Sequence, residues 1–377
     1  MTAPTKVTPV PVQPRHVSVG GQDIPVVLPN RRDPRLKLSA VVMTLHVLGQ
    51  TLLDFKVSVA QILISMAVCG LIEGVVTFRN TGMLVWPASG ILTGSSIALI
   101  LRASGTVHGD YWSLNGIQFF ILAGVVSLLS KHLIRPTGRH LFNPSNVGIV
   151  WCLLVVGPNH VFAQYLWWGP SILGQVLSYA VILFGAFWIL RAVKMIPMAL
   201  SFMVTFSVLI GLFALGGREF IAIWHEGPIG GMEYWVNVAL SAEVLVFVFF
   251  MISDPQTAPK APEARVVYGA AVALVAAALI LPQQTEFGIK VSILSSLTVV
   301  CAVVPLLEAA VRRRRQRAEG AVDAPRRPGD LLTAVRRPAV AAALIIAIAA
   351  PIDTALLAGN EQVILIEQGQ VGKANAQ

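Results

Sequence analysis

Apolar runs separated by short polar stretches set the organisation of this chain. Eleven can be marked, over residues 38–53, 57–76, 84–101, 114–130, 145–157, 171–190, 198–216, 235–252, 266–282, 291–309 and 338–358. A helix needs about 20 apolar residues to cross a hydrocarbon core. The pattern therefore predicts an all-α polytopic membrane protein, with the first, third and fifth spans short. Two polar signatures interrupt it, His140–Val150 (HLFNPSNVGIV) and Phe249–Pro259 (FFMISDPQTAP). Each sets an Asn or Asp directly before a proline at the edge of an apolar run. In lipid, a backbone group freed by proline must find a partner inside the protein. In transporter-like folds such breaks mark the binding site.

The first ten spans divide into five and five. An odd number per half gives the halves opposite orientation, as in an inverted repeat. The third span carries WPASGILTGSSIAL, with Gly90, Gly94 and a cluster of Ser89, Thr93, Ser95 and Ser96; its counterpart by order, the eighth, ends at Ser253-Asp254-Pro255. The expected domains are a disordered cytoplasmic arm over 1–36, a transmembrane domain over 37–310, a basic linker over 311–337, an appended helix over 338–358 and a polar tail over 359–377. The arm holds seven prolines and lacks the apolar core of a cleavable signal.

The formal charge of +9 acquires meaning only from its distribution. With the N-terminus in the cytoplasm, 23 of the 28 Lys and Arg fall on the inner side, and five (Lys56, Arg102, Arg218, Lys290 and Lys373) fall outside. That bias predicts an inner-membrane protein with its N-terminus in and its C-terminus out. The run Arg312–Arg317 reads as a topological anchor touching anionic lipid, not as a nucleic-acid site. Cys69, Cys152 and Cys301 lie in separate spans without metal-ligand spacing and read as small buried hydrophobes.

Several polar residues have both a structural and a functional reading. Asn143 and Ser145 can cap the fifth span, with Pro144 tolerated in its first turn. The same helix start offers N–H donors to a phosphate, a carboxylate or the polar edge of a flavin ring. Asp254, ill placed at a helix end, needs a turn cap, a basic partner such as Arg139 or Arg265, or a cation or cofactor. Glu243, mid-span, is either a proton or sodium site or a hydrogen-bonded packing residue. Glu73 is expected to pair with Arg79, and His46 with Gln50 across one turn. Trp167 and Trp168 fit an interfacial belt, in a segment (160–170) that could also be a lid. The sequence holds no Walker loop, dinucleotide glycine fingerprint, HExxH or cysteine cluster.

FNPSNVGIV, MISDPQTAP, SGILTGSSIALILR and KHLIRPTGRHLFNPSN together resemble the NqrB/RnfD membrane subunits of ion-pumping electron-transfer complexes, and most closely the UnbU branch, named for enediyne biosynthesis. The resemblance covers roughly 38–310. It implies a ten-helix core of two inverted repeats, similar to urea transporters. It also implies flavin held in the membrane and electron transfer coupled to sodium or proton movement, with other membrane redox subunits as partners. Carried over, the flavin-facing residues are Thr93, Gly94, Asn143, Pro144, Asn146, Asp254 and Thr257; Glu243 stays the ion-coupling candidate on its mid-span position alone. The chain lacks the Ser/Thr-Gly-Ala-Thr-like motif that takes FMN covalently; Ser104, Gly105 and Thr106 come nearest, without the Ala or an upstream Asp. The implied flavin, riboflavin or FMN, is therefore non-covalent. A transporter or channel on the same fold, and a structural subunit of a membrane complex, stand as alternatives.

Overall fold

The computed structural model describes residues 15–19, 22–30, 33–135, 138–166, 168, 169 and 171–318. The appended helix, the polar tail and the linker from 319 onward lie outside the described residues. All ten apolar runs within it are helical, but they are of two kinds. The first kind comprises α1 (Pro34–Thr51), α2 (Val59–Thr81), α4 (Ile117–Leu133), α6 (Ile172–Val193), α7 (Ile196–Leu215), α10 (Pro262–Ile280) and α11 (Glu286–Ala318). Local signals start them. Asp33 caps α1 ahead of Pro34, Ser58 and Gln61 form a reciprocal capping box on α2, and Ser171 caps α6. α11 runs on through the basic stretch Arg312–Arg317, so the linker begins as helix.

The second kind is interrupted. α3 (Ala88–Ile100) and α5 (Pro144–Val156) each have only 13 residues. α3 passes directly into the strand β4 (Leu101–Ala103), and a short turn joins α5 to β5 (Val161–Ala163). The two strands pair antiparallel, with Arg102 opposite Phe162. Gln164 N–H also donates to Ile100 O at 2.7 Å and Ser104 N–H to His160 O at 2.8 Å. Groups released where two helices stop are thus satisfied against each other in a buried ribbon. The eighth run, expected to be one helix, is three pieces: α8 (Gly231–Ala239), α9 (Ala242–Val246) capped by Ser241, and a π-helical turn over Phe247–Met251. The Ser241 side chain makes the break, because its oxygen takes the Val244 N–H.

The arm is not wholly without structure. β1 (Arg15–Val19) and β2 (Gln22–Val27) pair antiparallel, and β2 pairs parallel with β3 (Leu84–Val85) ahead of α3. The sequence signal for the hairpin was Gly20-Gly21 between two alternating runs. It was overshadowed by the proline content.

Helices α1 and α6 pack on each other, as do α5 and α11, while α2 packs on α3 and α7 on α10. The outer faces of this bundle are apolar. Leu200, Val204, Val208 and Leu212 form an exposed stripe along α7, and Leu183, Phe184, Phe187 and Trp188 form another on α6. In water such continuous patches would be ruinous; here they are the surface that meets lipid. Among the described residues α2, α6, α7, α10, α11 and the interrupted run Gly231–Met251 are long and apolar enough to span a membrane. The protein is a multi-pass, helical membrane protein.

α3 approaches α2 so closely that only a glycine fits at the contact. A Cβ on Gly94 would lie 2.2 Å from Ser65 O and 2.7 Å from Met66 Cα, whereas one on Gly74 would meet nothing within 4 Å. Gly94→Ala should therefore lower stability by about 1–3 kcal/mol and Gly74→Ala should not, measured as thermal unfolding of the two variants in detergent.

Candidate functional site

A cavity of about 640 Å³ opens where the two interrupted regions meet. Its apolar wall includes Leu92, Leu99, Val246, Phe250 and Met251, and its mouth carries Asp33, Arg35, Glu73, Lys131, Arg135 and Asp254. A pocket of this size suits a drug-sized or cofactor-sized molecule with one apolar and one polar edge.

Asn143 builds one side of it. Its Oδ1 accepts the Asn146 N–H at 3.2 Å and the Ser145 hydroxyl at 3.0 Å, which caps α5. Its Nδ2 donates to Met251 O, 3.1 Å away at the end of the π-helical turn. One side chain thereby serves the N–H end of one broken helix and a carbonyl at the end of another. Opposite, Asp254 Oδ1 accepts the Gln256 N–H at 2.9 Å, and its main-chain oxygen takes the Ala258 N–H. Asp254 is a turn cap. Its basic partner is His140, at 3.3 Å, and not Arg139 or Arg265. Arg139 reaches Glu308 and the Ala258 carbonyl. Arg265 donates to the Pro259 and Lys194 carbonyls.

The mouth is laced with ion pairs. Glu73 binds Lys131 at 2.7 Å and His132 at 3.2 Å, not Arg79; α4 delivers two basic residues in its last turn where α2 passes. Lys131 also donates to Ser89 Oγ at 2.9 Å. Asp33 is gripped by the Arg35 guanidinium, whose hydrogen bonds hold its carboxyl below the usual carboxylate range. Arg135, also on the rim, donates to Gly138 O.

Of the sequence-predicted site residues, Thr93, Asn143, Pro144 and Asp254 line this cavity. Gly94 faces α2 instead. Asn146 is fully buried behind the wall and ties α5 to α11, donating to Leu294 O at 2.9 Å and Thr298 Oγ1 at 3.0 Å. Thr257 is buried in the turn below Asp254. Glu243 does not line the cavity; its Oε2 accepts the Trp168 indole N–H at 3.2 Å. Trp168 is therefore buried and is no interfacial belt residue; Trp167 lies outside the described residues. His46 and Gln50 do not meet either. His46 Nε2 lies 3.1 Å from Ser95 O, and Gln50 donates to Val57 O. Thr106 is buried, and its hydroxyl accepts hydrogen bonds from Gln61 and Asn115. The sequence placed Ser89 in the third-span polar cluster and counted Lys131 and Arg135 as inner-side charges, but gave none of the three a site role. The signal was available in a basic α4 terminus and in a serine one turn ahead of Thr93.

Removing one partner of a largely buried pair costs more than the pair is worth. Glu73→Gln should destabilise the protein by about 3 kcal/mol, and Glu73→Gln/Lys131→Met should recover a large part of that loss, in a double-mutant cycle read by thermal unfolding.

No curated protein matches the chain. Residues 159–317, from just ahead of β5 nearly to the end of α11, match the model of the NQR2, RnfD, RnfE family.

Proposed function

We propose that the protein is a membrane electron-transfer subunit that holds a flavin, riboflavin or FMN, non-covalently in the cavity between α3, α5 and the π-helical turn. The cavity itself is the observation that carries the reading. Its size suits a flavin ring. Its lining holds both apolar side chains, Leu92, Leu99, Val246, Phe250 and Met251, that would pack on a flavin ring and polar ones that would bind its edge. Thr93, Ser96 and Ser145 would supply uncharged polar contacts, and Arg135 would supply a cation for a ribityl phosphate. Flavin chemistry passes electrons singly or in pairs, which is the work of an electron-transport subunit. The similarity of residues 159–317 to the NQR2, RnfD, RnfE family supports the same assignment.

The pairing of α1 with α6 and of α5 with α11 supports the inverted-repeat reading, in which the cavity lies near the pseudo-two-fold axis. The basic inner segments support an N-terminus in the cytoplasm of an inner membrane. Other redox subunits would supply and take the electrons, with sodium or proton movement coupled to the transfer and Glu243 as the coupling group. Service in enediyne-type biosynthesis follows from the UnbU resemblance alone.

The visible spectrum of the detergent-purified protein, taken before and after acid precipitation, tests the reading. Flavin bands that leave with the supernatant are the expected result. A colourless folded protein would overturn it and favour transport on the same scaffold. Ser96→Phe, which fills the cavity without removing a hydrogen bond seen in the structure, should cut retained flavin at least ten-fold with normal unfolding. Asn143→Ala should lose flavin and stability together, since it removes both a cap and a helix-to-helix bond.

A further inference from the structure

The far end of α11 carries a second polar centre. Glu308, at the cavity end, binds Arg139; Glu286 is 22 residues away along the same helix, or about 33 Å at 1.5 Å per residue. There Glu286, Lys290, Arg102 and Glu243 are all buried. Two of the five cations assigned to outer loops from sequence, Arg102 and Lys290, are thus inside the protein.

The four are not paired as a structural cluster would be. Glu286 is saturated: Leu166 N–H and Trp224 Nε1–H donate to its two oxygens, and Lys290 Nζ lies 3.7 Å away. Each of the others has an atom with no hydrogen-bond partner among the described residues, namely Arg102 Nη1, Lys290 Nζ and Glu243 Oε1. Native interiors leave few such atoms, and leaving them on charged groups is dear. Arg102 stacks its guanidinium over Tyr165 and Phe162, at 4.4 Å and 5.0 Å from the ring centroids. A cavity of about 10 Å³ lies between Arg102, Glu286 and Lys290, which is the room one water needs. Lys290 is within electrostatic reach of Glu286, Glu243 and Arg102, the charged groups around it.

We propose that Glu286, Lys290 and Glu243 form a proton relay, with Arg102 and the water-sized cavity at its entrance. Glu286 is the fixed anchor and Lys290 the moving group. Lys290 Nζ and Glu243 Oε1 make no direct hydrogen bond or ion pair, so a water between them carries the step: the ammonium gives one proton to it and it gives one to Glu243 Oε1, leaving a neutral amine and a neutral carboxyl. The amine regains a proton through the cavity water, and Glu243 releases its own, so one proton enters for each that leaves. Sodium is disfavoured as the carried ion, because two cations already balance the two carboxylates. Both ends of the relay are tied to the large cavity. Glu243 is followed by the π-helical turn that ends at Asn143's partner Met251, and π-bulges recur at functional sites. One turn beyond Lys290, Leu294 O is held by Asn146. The inference deepens the ion-coupling part of the function proposed above and identifies the ion.

Infrared difference spectroscopy of the full chain in lipid nanodiscs, perfused between acid and alkaline buffer, reads the relay directly. The expected result is a protonated-carboxyl C=O band that titrates, disappears in Glu243→Gln and is unchanged when sodium chloride replaces choline chloride. Lys290→Met should move its midpoint by a factor of ten or more in proton concentration, and Lys290→Arg should move it less. A band displaced by sodium would overturn the proton assignment in favour of a sodium site. Absence of any titrating band removed by Glu243→Gln, in variants that unfold normally, would overturn the relay altogether. The measurement needs no flavin, so a colourless protein with a normal titration would sink the flavin reading and leave the relay standing.

Discussion

A backbone that stops being helical inside an apolar layer must still satisfy its N–H and C=O groups, and the centre of this protein is arranged around that demand. Three interruptions occur, and each has its own remedy. α3 and α5 give way to strands that pair with one another. The eighth run is restarted by the Ser241 cap. The start of α5 and the end of the π-helical turn share Asn143, whose amide is both donor and acceptor. A carboxylate could accept but not donate there, and a serine could not reach both. The cavity exists because these repairs hold the broken ends apart.

Charge at the cavity mouth follows from the same economy. Glu73, Asp33, Asp254 and Glu308 each have a basic partner within hydrogen-bond distance. The carboxylates are consumed by structure, mainly in joining elements distant in sequence: α2 to α4, α11 to the segment before α5, and the Asp254 turn to His140. What remains for a bound molecule is a set of hydroxyls and Arg135, whose guanidinium meets the Gly138 carbonyl and no carboxylate among the described residues. That residue of unconsumed groups, and not the acidic residues that stand out in the sequence, sets the chemistry the pocket can recognise.

The membrane class and the helical character of the ten apolar runs within the described residues were legible in the sequence, because apolar length is a local signal; the breaks after α3, after α5 and at Ser241 were not. Asn143 and Asp254 were legible as caps because proline placement is a local signal too. The partners were not. Lys131 was counted only as an inner-loop charge, and nothing in the spacing tells that α4 ends beside Glu73. Gly94 was read with Thr93 as part of a ligand motif, yet its lack of a side chain is needed by α2, on the opposite face of α3. Arg102 and Lys290 were assigned to loops because their runs end near them; a strand and an early helix turn, neither visible in hydropathy, bury them.

Helix α11 turns these separate observations into one arrangement. Its first turn holds Glu286 and Lys290, its middle is fixed to α5 through Asn146, and its far part meets Arg139 through Glu308. A helix held at three levels transmits displacement along its axis better than a loop does, although Pro305 interrupts its hydrogen bonding before Glu308. The segment from Glu243 to Asp254 runs alongside as a second connection, and it contains a π-helical turn, whose wider hydrogen-bond pattern is the easier one to re-register. In the proposed coupling, a change of charge at either polar centre would act on two elements, α11 and the segment from Glu243 to Asp254, that both reach the other centre. That pairing gives coupling between the two ends a physical route.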